Sequence, residues 1–223
     1  MIAAKQRVKR VRNRPPSRPR LRFTPYARAK LTFLRDIGDT EVGGFGISAD
    51  DDPLRVVDFQ LVTQVCTAVT VEFSDDAVAD FFDSQVDEGR TPDQFARIWI
   101  HTHPGSCPLP SLTDEETFDR CFGAPDWAVM FILARQGATY GRLRLNVGPG
   151  ATRRLAIGMD YGHAFAGSNH DQWQEEYAHS VTALEPFTSH RQRWAWKPQD
   201  RSHELAAGEL PDAGELPEGW FAP

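Results

Sequence analysis

The spacing of apolar positions divides the chain into a mixed run of helices and strands. Thr24-Pro25 opens a predicted helix, with Thr24 as its cap, proline at the first helical position and Tyr26, Leu31 and Leu34 on one face up to Asp36. Gly38 is expected to close it. Strands are expected over Glu41 to Ser48, Leu54 to Leu61 and Val65 to Phe73, with Asp50 to Pro53 as a turn. Ser74 then caps a helix that presents Val78, Phe81, Phe82 and Val86 and stops at Gly89. Ala96 to His103 reads as a strand, Pro104 to Pro110 as a loop, and Ser111 as the start of a helix to about Phe122. The continuous apolar run Trp127 to Ala134 predicts a strand buried on both faces. Tyr140 to Val147 and Ala151 to Gly158 follow as strands, and Asn169 to Leu184 has helical spacing at Trp173, Tyr177 and Val181. Strands interleaved with helices argue for an α/β domain built on one sheet.

Composition marks the ends off from this body. Residues 1–22 carry nine Lys and Arg side chains and no acid, with Pro15, Pro16 and Pro19, which predicts a flexible basic arm. Residues 198–223 form an acidic, Pro/Gly-rich tail containing two Ala-Gly-Glu-Leu-Pro copies, expected to be disordered. Between lie a main domain over 23–160 and a C-terminal helical extension over 161–197, in which Trp194 and Trp196 read as packing or partner contacts. The net charge of −6 argues against a specific nucleic-acid partner. Only three cysteines, Cys66, Cys107 and Cys121, argue against a disulfide framework and for a reducing compartment. With no apolar run long enough to span a bilayer and no secretory signal of the usual form, no membrane role is expected and a cytoplasmic location is.

Chemistry concentrates in His101-Thr102-His103 and in Ser111 and Asp114 downstream. Residues two apart on a strand point to the same face, so two imidazoles can converge on one metal ion. Asp114, returning after the loop, supplies a third ligand. Two histidines and one carboxylate leave a position open for water, the pattern of a catalytic zinc site, whereas structural sites favour cysteines. Such a site also needs a general base, and Glu41, ahead of a glycine-rich strand, is the candidate. Ser111 is placed to donate to an oxyanion. Ser111-x-x-Asp114 also fits a capping box, and the two readings are compatible, because a cap would hold the carboxylate in place. Cys107, in the same loop, reads as a small loop residue ahead of a redox switch or a stray zinc ligand.

A glutamate upstream, then His-x-His, seven residues, Ser, two residues and Asp resembles the motif of the JAMM (MPN-plus) metallopeptidases, matched by Glu41, His101, His103, Ser111 and Asp114. Pro104 and Thr102 are also typical of it. The resemblance covers roughly residues 24–160. It implies the MPN (cytidine-deaminase-like) fold, a curved mixed sheet flanked by helices. It also implies one Zn2+ per chain and hydrolysis of peptide or isopeptide bonds. By this reading the chain is a bacterial deubiquitinase-like enzyme that cleaves after the C-terminal glycine of a ubiquitin-like protein, in deconjugation or precursor processing. Its partners would be the ubiquitin-like protein, its conjugates, and E1-like and E2-like enzymes of the same pathway. The substrate tail would lie along a sheet edge at Gly43, Gly44 and Phe45. The alternatives are a zinc hydrolase of a sulfur-carrier precursor or a cell-wall peptide, and a non-catalytic MPN binding module.

Overall fold

The structure, a computed structural model, describes residues 19–184. The acidic tail, most of the basic arm, and Trp194 and Trp196 lie outside the described residues. In chain order the elements are β1 (Arg20–Phe23), α1 (Pro25–Asp36), β2 (Gly43–Ala49), β3 (Asp52–Leu61), β4 (Gln64–Cys66), β5 (Val71–Phe73), α2 (Asp75–Asp87) and α3 (Pro92–Phe95). They continue with β6 (Ile98–His103), α4 (Leu112–Phe122), β7 (Trp127–Ala134), β8 (Thr139–Leu145), β9 (Ala151–Arg154), β10 (Ala156–Met159), α5 (His170–Ser180) and β11 (Val181–Ala183). Among the described residues no helix is long and apolar enough to cross a membrane.

Eight strands form one mixed sheet in the order β10-β1-β3-β2-β6-β7-β8-β9, so the fold is α/β with a large curved sheet flanked by helices. The curvature has a visible source: residues 151–159 supply a strand to each end of the sheet. β9 pairs with β8, the buried Leu155 donates its N–H to Gly141 O (2.9 Å), and β10 then pairs in parallel with β1. A second sheet, β11-β4-β5, stands beside the first.

Alternation along β6 and β7 sorts side chains between the two faces. Ile98, Ile100, Val129, Phe131 and Leu133 join Leu31 and Leu34 of α1 and Trp173 of α5 in one core. Trp99, Ala128, Met130 and Ile132 join Phe81 of α2, Phe95 of α3, and Phe118 and Phe122 of α4 in the other. Each large side chain fully buried here stabilises the fold by about 1.5–3 kcal/mol.

The structure differs from the sequence expectation at several points. Arg20 to Arg22, placed in the flexible basic arm, form β1, because Leu21 and Phe23 alternate inward as fully buried core residues. The expected strand over Val65 to Phe73 is a hairpin of β4 and β5, closed by the Thr67 N–H to Thr70 O bond of 3.0 Å. The one over Ala151 to Gly158 breaks at Leu155. Helical spacing to Leu184 ends at Ser180, and the chain turns into β11. Gly38 follows the C-cap Ile37 at the end of α1, as expected, but without a positive φ; a Cβ there would lie 2.2 Å from the Tyr177 hydroxyl, so glycine lets α5 approach. The described part of the C-terminal extension, 161–184, thus contributes to the main core, with Trp173 fully buried.

That docking has an electrostatic anchor. The buried Lys30 ammonium on α1 meets Glu176 of α5 at 2.7 Å and Asp58 of β3 at 3.3 Å. Burial alone would lower its pKa, but Asp58 and Glu176 outweigh burial and hold it above the ordinary lysine value. A raised folded pKa stabilises the protein fully below the unfolded value, about 10.4, and that contribution fades as pH climbs through the folded value. Lys30→Met is therefore expected to destabilise by about 1–3 kcal/mol at neutral pH, because the half-buried carboxylates of Asp58 and Glu176 lose their counter-charge and keep only the main-chain donors of Phe59 and Leu61. Chemical denaturation of both proteins from pH 7 to 11.5 should show the gap between them narrowing only above about pH 10.4.

Candidate metal centre

β6 ends in the centre of the sheet, between β2 and β7. Its alternation turns Thr102 toward the α1 core and sends Trp99, His101 and His103 to the α4 side. His101 is fully buried and its ring lies 4.4 Å from that of Trp99. Asp114 arrives from the first turn of α4, whose capping box forms as the sequence indicated. The Ser111 hydroxyl accepts from Asp114 N–H (3.2 Å), while Ser111 N–H (2.6 Å) and the Ser111 hydroxyl (2.8 Å) donate to Asp114 Oδ2.

The three side chains converge. His101 Nε2 and His103 Nε2 are 3.2 Å apart, His101 Nε2 is 3.3 Å from Asp114 Oδ1, and His103 Nε2 is 3.7 Å from Asp114 Oδ2. Ligands about 2.0–2.1 Å from a tetrahedral ion stand about 3.3 Å from one another, so the two spacings from His101 match edges of such a polyhedron, while the one from His103 to the other carboxylate oxygen is longer. The donor set can hold a metal ion. His103 Nδ1 lies 2.8 Å from the Cys107 carbonyl, so the proton of that imidazole is held on Nδ1 and Nε2 stays free for a ligand. Cys107 thus acts through its backbone. Its exposed thiol is not among the converging ligand atoms, which leaves the stray-ligand reading without support.

Electrostatics prepare the cluster. Burial pushes the His101 pKa down, and its contact with Asp114 only partly offsets this, so the ring is neutral and ready to ligate. At His103 burial also pulls downward, but Asp114, the Cys107 carbonyl and Glu41 together raise its pKa. Asp114 is partly desolvated, yet the two imidazoles and the Ser111 N–H hold its carboxyl far below the usual range. A metal ion therefore competes with protons for His103 Nε2, and binding should strengthen as pH rises.

Glu41 sits just before β2, buried, with Oε1 3.7 Å from His103 Nε2. Burial pushes its pKa up to about 8; the His103 ring lowers it and Asp114 raises it further. A bound dication would favour its ionised form. Its main chain is held by a bond from Glu41 N–H to Thr67 O (2.8 Å). The neighbouring Val42 is clasped by Thr102: Thr102 N–H donates to Val42 O (2.9 Å), and Val42 N–H donates to Thr102 Oγ1 (3.0 Å). The sequence marked Thr102 only as typical of a motif. Its signal was its place between two histidines on the opposite strand face.

Two sequence expectations change here. Gly43, Gly44 and Phe45 cannot offer a free sheet edge: all three pair with β6, Gly44 and Phe45 also pair with β3, and the Gln64 side chain fills that side of Gly43. The glycines serve close packing instead. A Cβ at Gly44 would lie 2.1 Å from Gln60 O, one at Gly43 would lie 3.0 Å from the Phe73 ring and Val71, and Phe45 is buried in the core. The free edge nearby belongs to β5, paired only with β4 among the described residues. It borders a cavity of about 560 Å³ lined by Val71, Phe73, Val78, Phe82, Trp99 and Thr117. Trp99 and Thr117 place this cavity next to the centre, two residues from His101 and three from Asp114. As for Ser111, its hydroxyl proton is engaged by Asp114, so its present role is to hold a ligand.

Ser111→Ala is expected to weaken the binding of a metal ion, assayed with zinc, about 10-fold, because it removes the hydroxyl bond to Asp114 Oδ2 and leaves only the main-chain one. Competition titration against a fluorescent chelator measures this directly. The chain matches no protein-family model, and no curated protein matches it.

Proposed function

We propose that the chain is a zinc-dependent peptidase of JAMM (MPN-plus) type, with an MPN (cytidine-deaminase-like) domain, that cleaves after the C-terminal glycine of a ubiquitin-like protein. One observation carries the reading: His101, His103 and Asp114 bring ligand atoms within 4.8 Å of one another, with the carboxylate of Glu41 beside them and no fourth side-chain ligand in the group among the described residues. The donor set, two imidazoles and a carboxylate, suits zinc in a catalytic arrangement. When bound, zinc supplies Lewis acidity and lowers the pKa of a coordinated water to about 7.

The protein's own groups do the rest. His101, His103 and Asp114 hold the ion. Ser111 fixes Asp114 through Oδ2, which also stands nearest His103, and leaves Oδ1 toward His101. Glu41 takes a proton from the attacking water and returns it to the departing amine; burial raises its pKa, and a bound dication would favour its ionised form. The Ser111 hydroxyl serves an oxyanion only if it swings away from Asp114. The substrate tail adds as a strand to the free edge of β5, with its apolar side chains in the adjoining cavity. E1-like and E2-like enzymes of the same pathway are the expected partners.

A substrate panel tests the reading. Zinc-loaded protein should cleave ubiquitin-like fusions and isopeptide conjugates, and should cleave short peptides lacking that moiety poorly. Preference for the short peptides would overturn the substrate class in favour of another peptide hydrolase. Inertness toward every substrate, despite bound zinc, would favour a binding module.

A further inference from the structure

We propose that Gln64 is a positioning residue for Glu41, its buried side-chain amide replacing a strand partner that the sheet lacks at this point. The inference rests on the hydrolase reading above and names how its base is held.

The β2–β3 ladder ends at Gly44↔Leu61, so Gly43 has no backbone partner on the β3 side. On the other side Gly43 stands opposite His101. Beyond Leu61 the chain leaves the large sheet and starts β4, and there Gln64 turns its side chain back. Gly43 N–H donates to Gln64 Oε1 (2.8 Å), and Gln64 Nε2 donates to Gly43 O (2.8 Å). Paired donation and acceptance of this kind is what a neighbouring strand would supply. The amide is otherwise satisfied: Nε2 also donates to Val62 O (2.8 Å), and Oε1 also accepts from Cys66 Sγ (3.2 Å). Gln64 is 1% exposed, so water has no access to replace these bonds.

The backbone just ahead of Gly43 is then fixed on three sides. Gln64 holds Gly43, Thr102 holds Val42, and Thr67 O holds Glu41 N–H. Two of these three grips come from the β4 strand and the turn after it, so the small sheet is tied to the placement of the base. β11 braces that sheet through its parallel pairing with β4 and the Leu184 N–H to Cys66 O bond (2.8 Å). A residue that only filled the core would need no amide here. An apolar side chain of the same volume would pack equally well but would strand two polar groups of Gly43.

Gln64→Met in the full chain, loaded with zinc alone, tests this by two routes. Amide hydrogen exchange at Glu41 and Gly43 should accelerate at least tenfold, while the β6 and β7 amides and the zinc content stay at wild-type values. With ubiquitin linked through its C-terminal glycine to aminocoumarin as probe, kcat should fall about 10- to 100-fold with KM little changed. In a Glu41→Gln background the same substitution should cost nothing further, because it acts through the base. Unchanged exchange at Glu41, or a kcat loss that adds fully to that of Glu41→Gln, overturns the proposal. A wild-type protein that binds zinc but leaves the probe intact counts against the hydrolase reading, and the exchange result then decides the positioning claim by itself. Should Gln64→Met fail to fold, Gln64→Glu keeps an acceptor for Gly43 N–H but loses the donations to Gly43 O and Val62 O. It should accelerate exchange at Glu41 in the same sense, and no acceleration would overturn the proposal.

Discussion

Metal-depleted protein should gain about 2.7 kcal/mol of unfolding free energy when zinc is supplied at one hundred times its dissociation constant. His101→Ala should abolish the gain. His101 is fully buried and contributes two of the three ligand-to-ligand edges, to His103 Nε2 at 3.2 Å and to Asp114 Oδ1 at 3.3 Å. Its loss should therefore exceed the effect of about 10-fold expected at a supporting residue such as Ser111. Thermal unfolding with and without zinc, together with metal analysis of the purified protein, measures both. A chelator should return wild type to the metal-depleted transition and leave His101→Ala where it was. Wild type unmoved by zinc would remove the basis for the metal centre.

Glu41→Gln is expected to keep wild-type zinc content and lower kcat about 100- to 10,000-fold. The substitution preserves shape but cannot accept a proton at the atom 3.7 Å from His103 Nε2. The direction of the pH dependence follows from burial. Without metal the Glu41 pKa stands at about 8, and a dication nearby must lower it. A base works only when ionised, so kcat/KM of the zinc-loaded protein should fall toward acid, with the midpoint of that limb below 8. Loss of this limb in Glu41→Gln, measured across pH 5 to 9, identifies its owner. Turnover at the wild-type rate in Glu41→Gln would show that the proton goes elsewhere.

Much of this was legible in the chain because local rules and tertiary demands agree. Thr24 and Ser111 cap helices by the same hydrogen bond that their sequence context indicates, and Trp127 to Ala134 reads as a strand covered on both faces because it is one. The convergence of His101, His103 and Asp114 follows from strand alternation plus a helix cap. What stayed hidden depends on partners distant in sequence. That Leu21 and Phe23 begin a strand is decided by residues 55–56 and 156–159, and the preceding run of arginines obscured it. The glycines at Gly43 and Gly44 looked like room for a substrate. They are room for Phe73 and for the main chain at Gln60, which only the packed structure shows. Gln64 carries no local signal at all, since a glutamine in a short strand is unremarkable until the ladder beside it is seen to stop.

The placement of β1 between β3 and β10 has a consequence for synthesis. During synthesis β1 can take its neighbour on one side once residue 56 has emerged, but the other side waits for residue 159. Until residue 159 emerges, Leu21 and Phe23 therefore belong to a hydrophobic edge able to capture another nascent chain. Pairing so remote in sequence also slows the final search, and closure of the large sheet is the step most in need of chaperone protection.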